Sequence, residues 1–222
     1  MVAFAVRQHG RVIHDVDRSL VRWLGRCLPA GVAVRLSGPR PDWLTTPPEP
    51  LLLNAFLYDI REDTRLLHSE TTPLRDTDGH TTARRAPTRR YRLRYLLTAW
   101  ADDELAEHEL LATVLAGAVS LLAIPADCLV GSLAAAGELV PVRCAPVGDD
   151  PVGVHLWTQM GLPPRTTLDL VVTAPLVPEP VTDLAPAPSE VDLKTNPPGT
   201  LGRPAVPAAA GERPRGRITE RS

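Results

Sequence analysis

Lysine is almost missing from this chain: Lys194 stands alone beside 23 arginines in 222 residues. With Ala, Pro and Val abundant, that skew reads as GC-rich coding, so a count of arginines overstates their functional weight. Cysteine is scarce too. Cys27, Cys128 and Cys144 are odd in number and far apart, and no CxxC pair or Cys/His cluster has zinc-site spacing. Each has apolar neighbours, which points to buried, reduced thiols and a cytosolic site of synthesis. Long apolar runs are missing as well. No window approaches the roughly 20 apolar residues of a membrane span, and "MVAFAVRQHG" turns polar too soon for a signal peptide. The expectation is a soluble chain, with no membrane partner, not exported by the general route. A formal net charge of -2 exerts no overall pull on nucleic acid.

The chemistry-bearing motifs are equally lacking. There is no phosphate loop, dinucleotide turn, GxSxG elbow or HExxH. His108 lies between Glu107 and Glu109, but adjacent residues on a helix do not face one another, so a solvated flank accounts for them. "DTD" at 76–78, followed by Gly79 and His80, resembles a metal loop without the later glutamate of a calcium hand. Turn chemistry explains the same residues without an ion. The acid pairs Glu62-Asp63 and Asp102-Asp103 adjoin strand or helix ends, where capping and solubility suffice. The sequence makes no case for an enzyme, a cofactor or a metal.

What is present is a regular alternation of patterns. Val12, Val16, Leu20, Trp23, Leu24 and Cys27 fall on one helical stripe, with Asp15 and Asp17 early, Arg22 and Arg26 late, and Pro29 and Gly31 as the stop. "VAVRLSG" (32–38) alternates like a half-buried strand, and "LLLNAFLYDI" (51–60) is apolar on both faces, as a central strand must be. Residues 61–90 turn polar, with "TDG" at 77–79. A structureless loop of about 30 residues is unusual within a domain, so a projecting β-hairpin arm is expected there. In "ADDELAEHELLATVLAGAVSLL", Asp102 or Asp103 caps a helix whose buried stripe is read as Leu111, Val114, Leu115, Ala118 and Leu122. A short helix ending at Gly137, a strand in "LVPVRCAPV", a short helix in "GVHLWTQMG" and a strong strand in "TLDLVVTAPL" follow. The expected fold is α/β: one domain over 11–177, with a mixed sheet of about five strands flanked by helices and the arm at about 61–90. Residues 1–10 read as a flexible extension and 178–222 as a Pro/Ala-rich tail, disordered in isolation.

One feature is concentrated. Arg84, Arg85, Arg89, Arg90, Arg92 and Arg94 lie within eleven residues, interleaved at the end with Tyr91 and Tyr95. On a strand the tyrosines face away from Arg90, Arg92 and Arg94, which opposes a base-stacking surface. A solvated face and a partner contact account equally well for the arginines. If they meet a partner, the chain's overall charge favours an acidic protein surface over nucleic acid.

Four stretches in order, "VIHDVDRSLVRWL", "NAFLYDIRED", "RRYRLRYLLTAWADDELAEHELLATVLAGAV" and "LDLVVTAPL", resemble the cap, or tail-terminator, proteins of extracellular contractile injection systems of the antifeeding-prophage type. The resemblance covers about 11–177. It implies a structural cap: a homohexameric ring on the distal end of inner tube and sheath that ends their polymerisation. Its partners would be further copies, the inner tube protein and the sheath protein. Assembly would be cytoplasmic, on a particle that stays in the cell or is released. The six arginines are then the candidate subunit, tube or sheath interface. The family pattern begins near Ile13, so Met1–Gly10 would be an extension or a misplaced start. The alternative readings are an assembly adaptor or cargo-loading factor of the same system and, behind it, a nucleic-acid-binding module.

Overall fold

Helical spacing alone places the first element. In the computed structural model, Val16, Leu20, Trp23 and Leu24 are all buried on one side of α1 (Val12–Cys27), with Val12 and Cys27 packed at its margins. The structure describes residues 11–44, 46, 49–66, 70–146, 157–159 and 161–182. Of the two units into which the chain divides, Met1–Leu184 and Ala185–Ser222, the second lies outside these residues. The expectations for 1–10, for the tail beyond Thr182 and for most of "GVHLWTQMG" therefore lie outside the described residues as well.

After α1 come β1 (Ala33–Arg35), β2 (Leu52–Glu62), β3 (Thr72–Arg75), β4 (Thr81–Arg85), β5 (Arg89–Trp100), α2 (Glu104–Val119), α3 (Gly131–Ala136), β6 (Val142–Cys144) and β7 (Leu168–Leu176). Five strands form one mixed sheet in the order β1-β2-β5-β7-β6. β1 runs parallel to β2, and the other pairs are antiparallel. β3 and β4 form a separate hairpin between β2 and β5, in the stretch expected to form an arm. The described residues thus form a single α/β domain with a five-stranded mixed sheet and helices.

Strand alternation then divides the core. Leu53 and Ala55 of β2, Leu93, Tyr95, Leu97 and Ala99 of β5, and Leu170 and Val172 of β7 turn to the layer holding α1, α2 and α3. Leu52, Leu96 and Trp100 turn the other way, where Trp43, Trp157 and Leu162 cover them. Trp43 meets Trp100 edge-on, with centroids 5.3 Å apart. "LLLNAFLYDI" is apolar on both faces because its first half is covered on both.

Three expectations need correcting. "VAVRLSG" pairs only at Ala33–Arg35, after which Pro39 and Pro41 withhold donors and the chain winds into a 3-10 turn (Pro41–Leu44) carrying Trp43. "LVPVRCAPV" likewise gives only the three residues of β6. On α2 the buried set is Leu110, Leu111, Val114 and Ala118. Leu115 is 37% exposed and Leu122 91%, so both leave the expected stripe. From Leu110 onward this helix is apolar nearly all round, and its sequence offers two faces that could turn inward.

Candidate functional site

β5 carries the concentrated arginines, and its neighbours decide what each can do. Arg94 is 7% exposed. Its guanidinium donates to the Asp169 carboxylate of β7 and lies 5.3 Å from the centre of the Tyr58 ring. Tyr58 donates its hydroxyl to the same carboxylate at 2.7 Å. Burial, followed by that bond and the charge of Asp169, raises the Tyr58 phenol well above its ordinary range. Arg94 and Tyr58 therefore share the Asp169 carboxylate as a partner within the chain.

The others are spread over two ends of a short stretch. Arg89 donates to Glu62 at 2.8 Å and keeps 47% of its side chain exposed. Arg92 is half-buried, with Asp63 in its field. The Asp63 carboxyl is held below its ordinary value, chiefly by its bond to Arg65, with Arg92 contributing least. Arg90 pairs with Glu138 at 2.5 Å, beside a cavity of about 420 Å³ lined by Arg85, Pro87, Ala136, Glu138 and Pro175. Arg84 exposes its side chain, while its backbone N–H and C=O exchange bonds with Val181 at 2.9 and 2.7 Å. The structure thus puts Arg85 and the Glu138 partner of Arg90 in the wall of one cavity and takes Arg94 inside. The face presented outward is narrower than the six-residue row.

The hairpin is held by this arrangement. Because Arg84 turns its backbone bonds toward Val181, the Pro73–Arg84 pair within the hairpin is the non-hydrogen-bonded kind, and the missing N–H of Pro73 costs nothing. At the hairpin's tip Asp76 Oδ1 accepts from the backbone N–H of Asp78 (3.0 Å) and His80 (2.8 Å), and Gly79 takes φ +86°. Among the described residues, Asp76, Asp78 and His80 are the one group with side chains close enough to share a metal ion, and all three are exposed. The turn already uses the Asp76 carboxylate. Cys128 is buried, and Cys27 and Cys144 are half-buried, with burial raising both of their thiols.

Sequence reasoning missed the acidic partners: Glu62, Glu138 and above all Asp169. The signal for Asp169 was there, since a lone carboxylate within the apolar run "LDLVV" needs a buried cation. It also missed the outer face of α2, where Leu105, Leu115 and Val119 are 70%, 37% and 78% exposed.

A family profile described as the Pvc16 N-terminal domain matches residues 15–190. No match is found among the curated proteins. Two solved structures share the fold. One is the sheath/tube terminator of the PVC extracellular contractile injection system in its extended state, at 21% identity and a TM-score of 0.62, covering 85% of this chain and 65% of that one. The other is the tube-terminating cap of the anti-feeding prophage, at 20% identity and a TM-score of 0.58, covering 82% and 61%. The chain spans somewhat less than two thirds of the length of either.

Proposed function

Because the chain belongs to the Pvc16 N-terminal-domain family, we propose that it is the terminator of a contractile, phage-tail-like injection particle. It sits as a ring of like copies, six by the symmetry expected of such a particle, on the distal end of inner tube and sheath, and ends their polymerisation. The observation that carries this reading is the family match over 15–190, supported by a fold shared with two proteins that are themselves terminators. The role is structural and not enzymatic. Assembly takes place in the cytoplasm, the partners are further copies, tube and sheath, and nucleic acid is not among them.

The contact surface is built on the hairpin and the adjoining end of β5, with Arg84 and Arg89 as its outward charges and Arg92 beside them. Ring closure needs a heterologous contact, in which one patch meets a different patch on the next copy. Charge complementarity there sets register more than affinity. Arg90 and Arg94 hold Glu138 and Asp169 and are poor probes, since reversing them attacks the fold.

The test is electron microscopy of particles from cells lacking the chain, beside cells complemented with wild type or with the Arg84→Glu, Arg89→Glu double variant. Uncapped tubes, scattered lengths or missing sheaths without the chain are expected, and likewise with the double variant, which should still fold. Uniform, sheathed particles in cells without the chain would overturn the terminator role. Normal capping by a folded double variant would retain that role and remove the arginine surface.

A further inference from the structure

Alternation along β4 turns Thr81, Ala83 and Arg85 towards the domain and Thr82 and Arg84 away from it. Arg85 thus enters the wall of the cavity of about 420 Å³ between the base of the hairpin, α3 and the end of β7. An arginine on the sheltered side of a strand is ordinarily paired with a carboxylate. The chain supplies one to three arginines of β5: Glu62 to Arg89, Glu138 to Arg90 and Asp169 to Arg94. Arg85 receives none. Among the described residues its guanidinium makes no hydrogen bond or ion pair, and its Nε is shut off from solvent without an acceptor. Glu138 is the one carboxylate in the cavity wall, and Arg90 holds it at 2.5 Å. Much of the remaining wall is small and apolar, with Ala86, Pro87, Ala135, Ala136 and Pro175.

We propose that this cavity is a binding site for a carboxylate on a short aliphatic stem, supplied by a glutamate side chain of a partner protein. Charge selects the carboxylate, because a guanidinium without a partner takes one through parallel N–H bonds. Magnitudes select the stem. A single half-exposed ion pair shifts affinity by less than about tenfold, so charge alone holds an acid weakly. Each methylene buried against the alanine and proline walls adds about fourfold, which favours glutamate over aspartate. The volume lies within the range of ligand-binding cavities and admits such a side chain. A free acid would lose its translational freedom for that one ion pair. A side chain comes attached to a surface whose other contacts offset the loss. The site rests on the geometry of this chain and not on the terminator reading, and it holds whether or not the chain ends a tube.

The experiment titrates the isotope-labelled full chain and follows its backbone amide shifts. The probes are the blocked peptide Ac-Ala-Ala-Glu-Ala-Ala-amide, its glutamine counterpart, and free glutarate. The glutamate peptide is expected to shift the Arg85, Ala86 and Ala136 amides saturably in the millimolar range, and the glutamine peptide to leave them in place. Arg85→Gln should weaken binding about fivefold with melting unchanged. Ala136→Leu, which fills the cavity and keeps the cation, should weaken it as well, so either variant serves if the other fails to fold. No saturable shift, or equal binding of the two peptides, would overturn the proposal. Wild-type affinity in a folded Arg85→Gln or Ala136→Leu chain would overturn it too. Glutarate binding more tightly than the glutamate peptide would retain the carboxylate site and overturn the protein source.

Discussion

Gly131 has no room to be anything else. Its φ is +56°, and an added Cβ would fall well inside van der Waals contact with the Asp15 carboxylate. That carboxylate is buried and accepts from the Ser132 backbone N–H (2.8 Å) and hydroxyl (2.6 Å), so it caps α3 from across the helical layer. Gly131→Ala combines left-handed strain with displacement of a buried acceptor and should cost about 2–4 kcal/mol. Gly137→Ala, at φ +64° with open space around it, should cost only about 1–2 kcal/mol. Urea unfolding of the two variants separates the contributions, and equal losses would mean that Asp15 yields freely. Asp17, two residues further along α1, is perturbed by its surroundings. It accepts the Tyr95 hydroxyl at 2.7 Å, yet burial dominates and raises its carboxyl above the ordinary 3.8. The folded chain thus holds the Asp17 proton more tightly than the unfolded chain does. Ionising it costs stability as pH rises from about 3.8 through the raised value. Asp17→Asn keeps an oxygen for Tyr95 and removes the charge. Its stability relative to wild type should improve with rising pH across that window and hold constant above it. Urea melts of both proteins from acid to neutral pH check this, and a difference that stays flat would mean that burial does not perturb the carboxyl.

Among the elements, β5 shows most clearly what a pattern can and cannot say. Tyr91, Leu93, Tyr95 and Leu97 turn to the helices, as their alternation requires, and Arg90, Arg92 and Arg94 fall between them. Whether those arginines were free depended on β7, which brings Asp169 to Arg94 from 75 residues away. The hairpin depends in the same way on a distant strap. A two-stranded hairpin is marginal alone, and β4 gains a further pair of backbone bonds from Val181. Val181→Pro removes the N–H that bonds to the Arg84 carbonyl, at a local cost of about 1 kcal/mol. Amide exchange at the hairpin should quicken about fivefold while the central sheet is unchanged. Unaltered exchange at Arg84 would show that the strap does not hold the hairpin.

Across the whole molecule, one face of the sheet is closed by three helices and the other is covered over the Leu52, Leu96 and Trp100 region by Trp43, Trp157 and Leu162. Among the described residues, the hairpin with the adjoining end of β5 and the outer side of α2 are exposed. The two surfaces differ in chemistry, one paired and charged, the other uncharged and apolar, so they suit different contacts. Most element types, their order and the two-faced character of β2 were legible in the chain, because side-chain periodicity and turn chemistry act over a few residues. The partners of the arginines and the inward face of α2 were not legible. Ion pairs join residues far apart in sequence, and a helix apolar on all sides has no local cue to orient it. Only the closing of the sheet under the helices decided which charges were consumed within the fold and which apolar face was left outside.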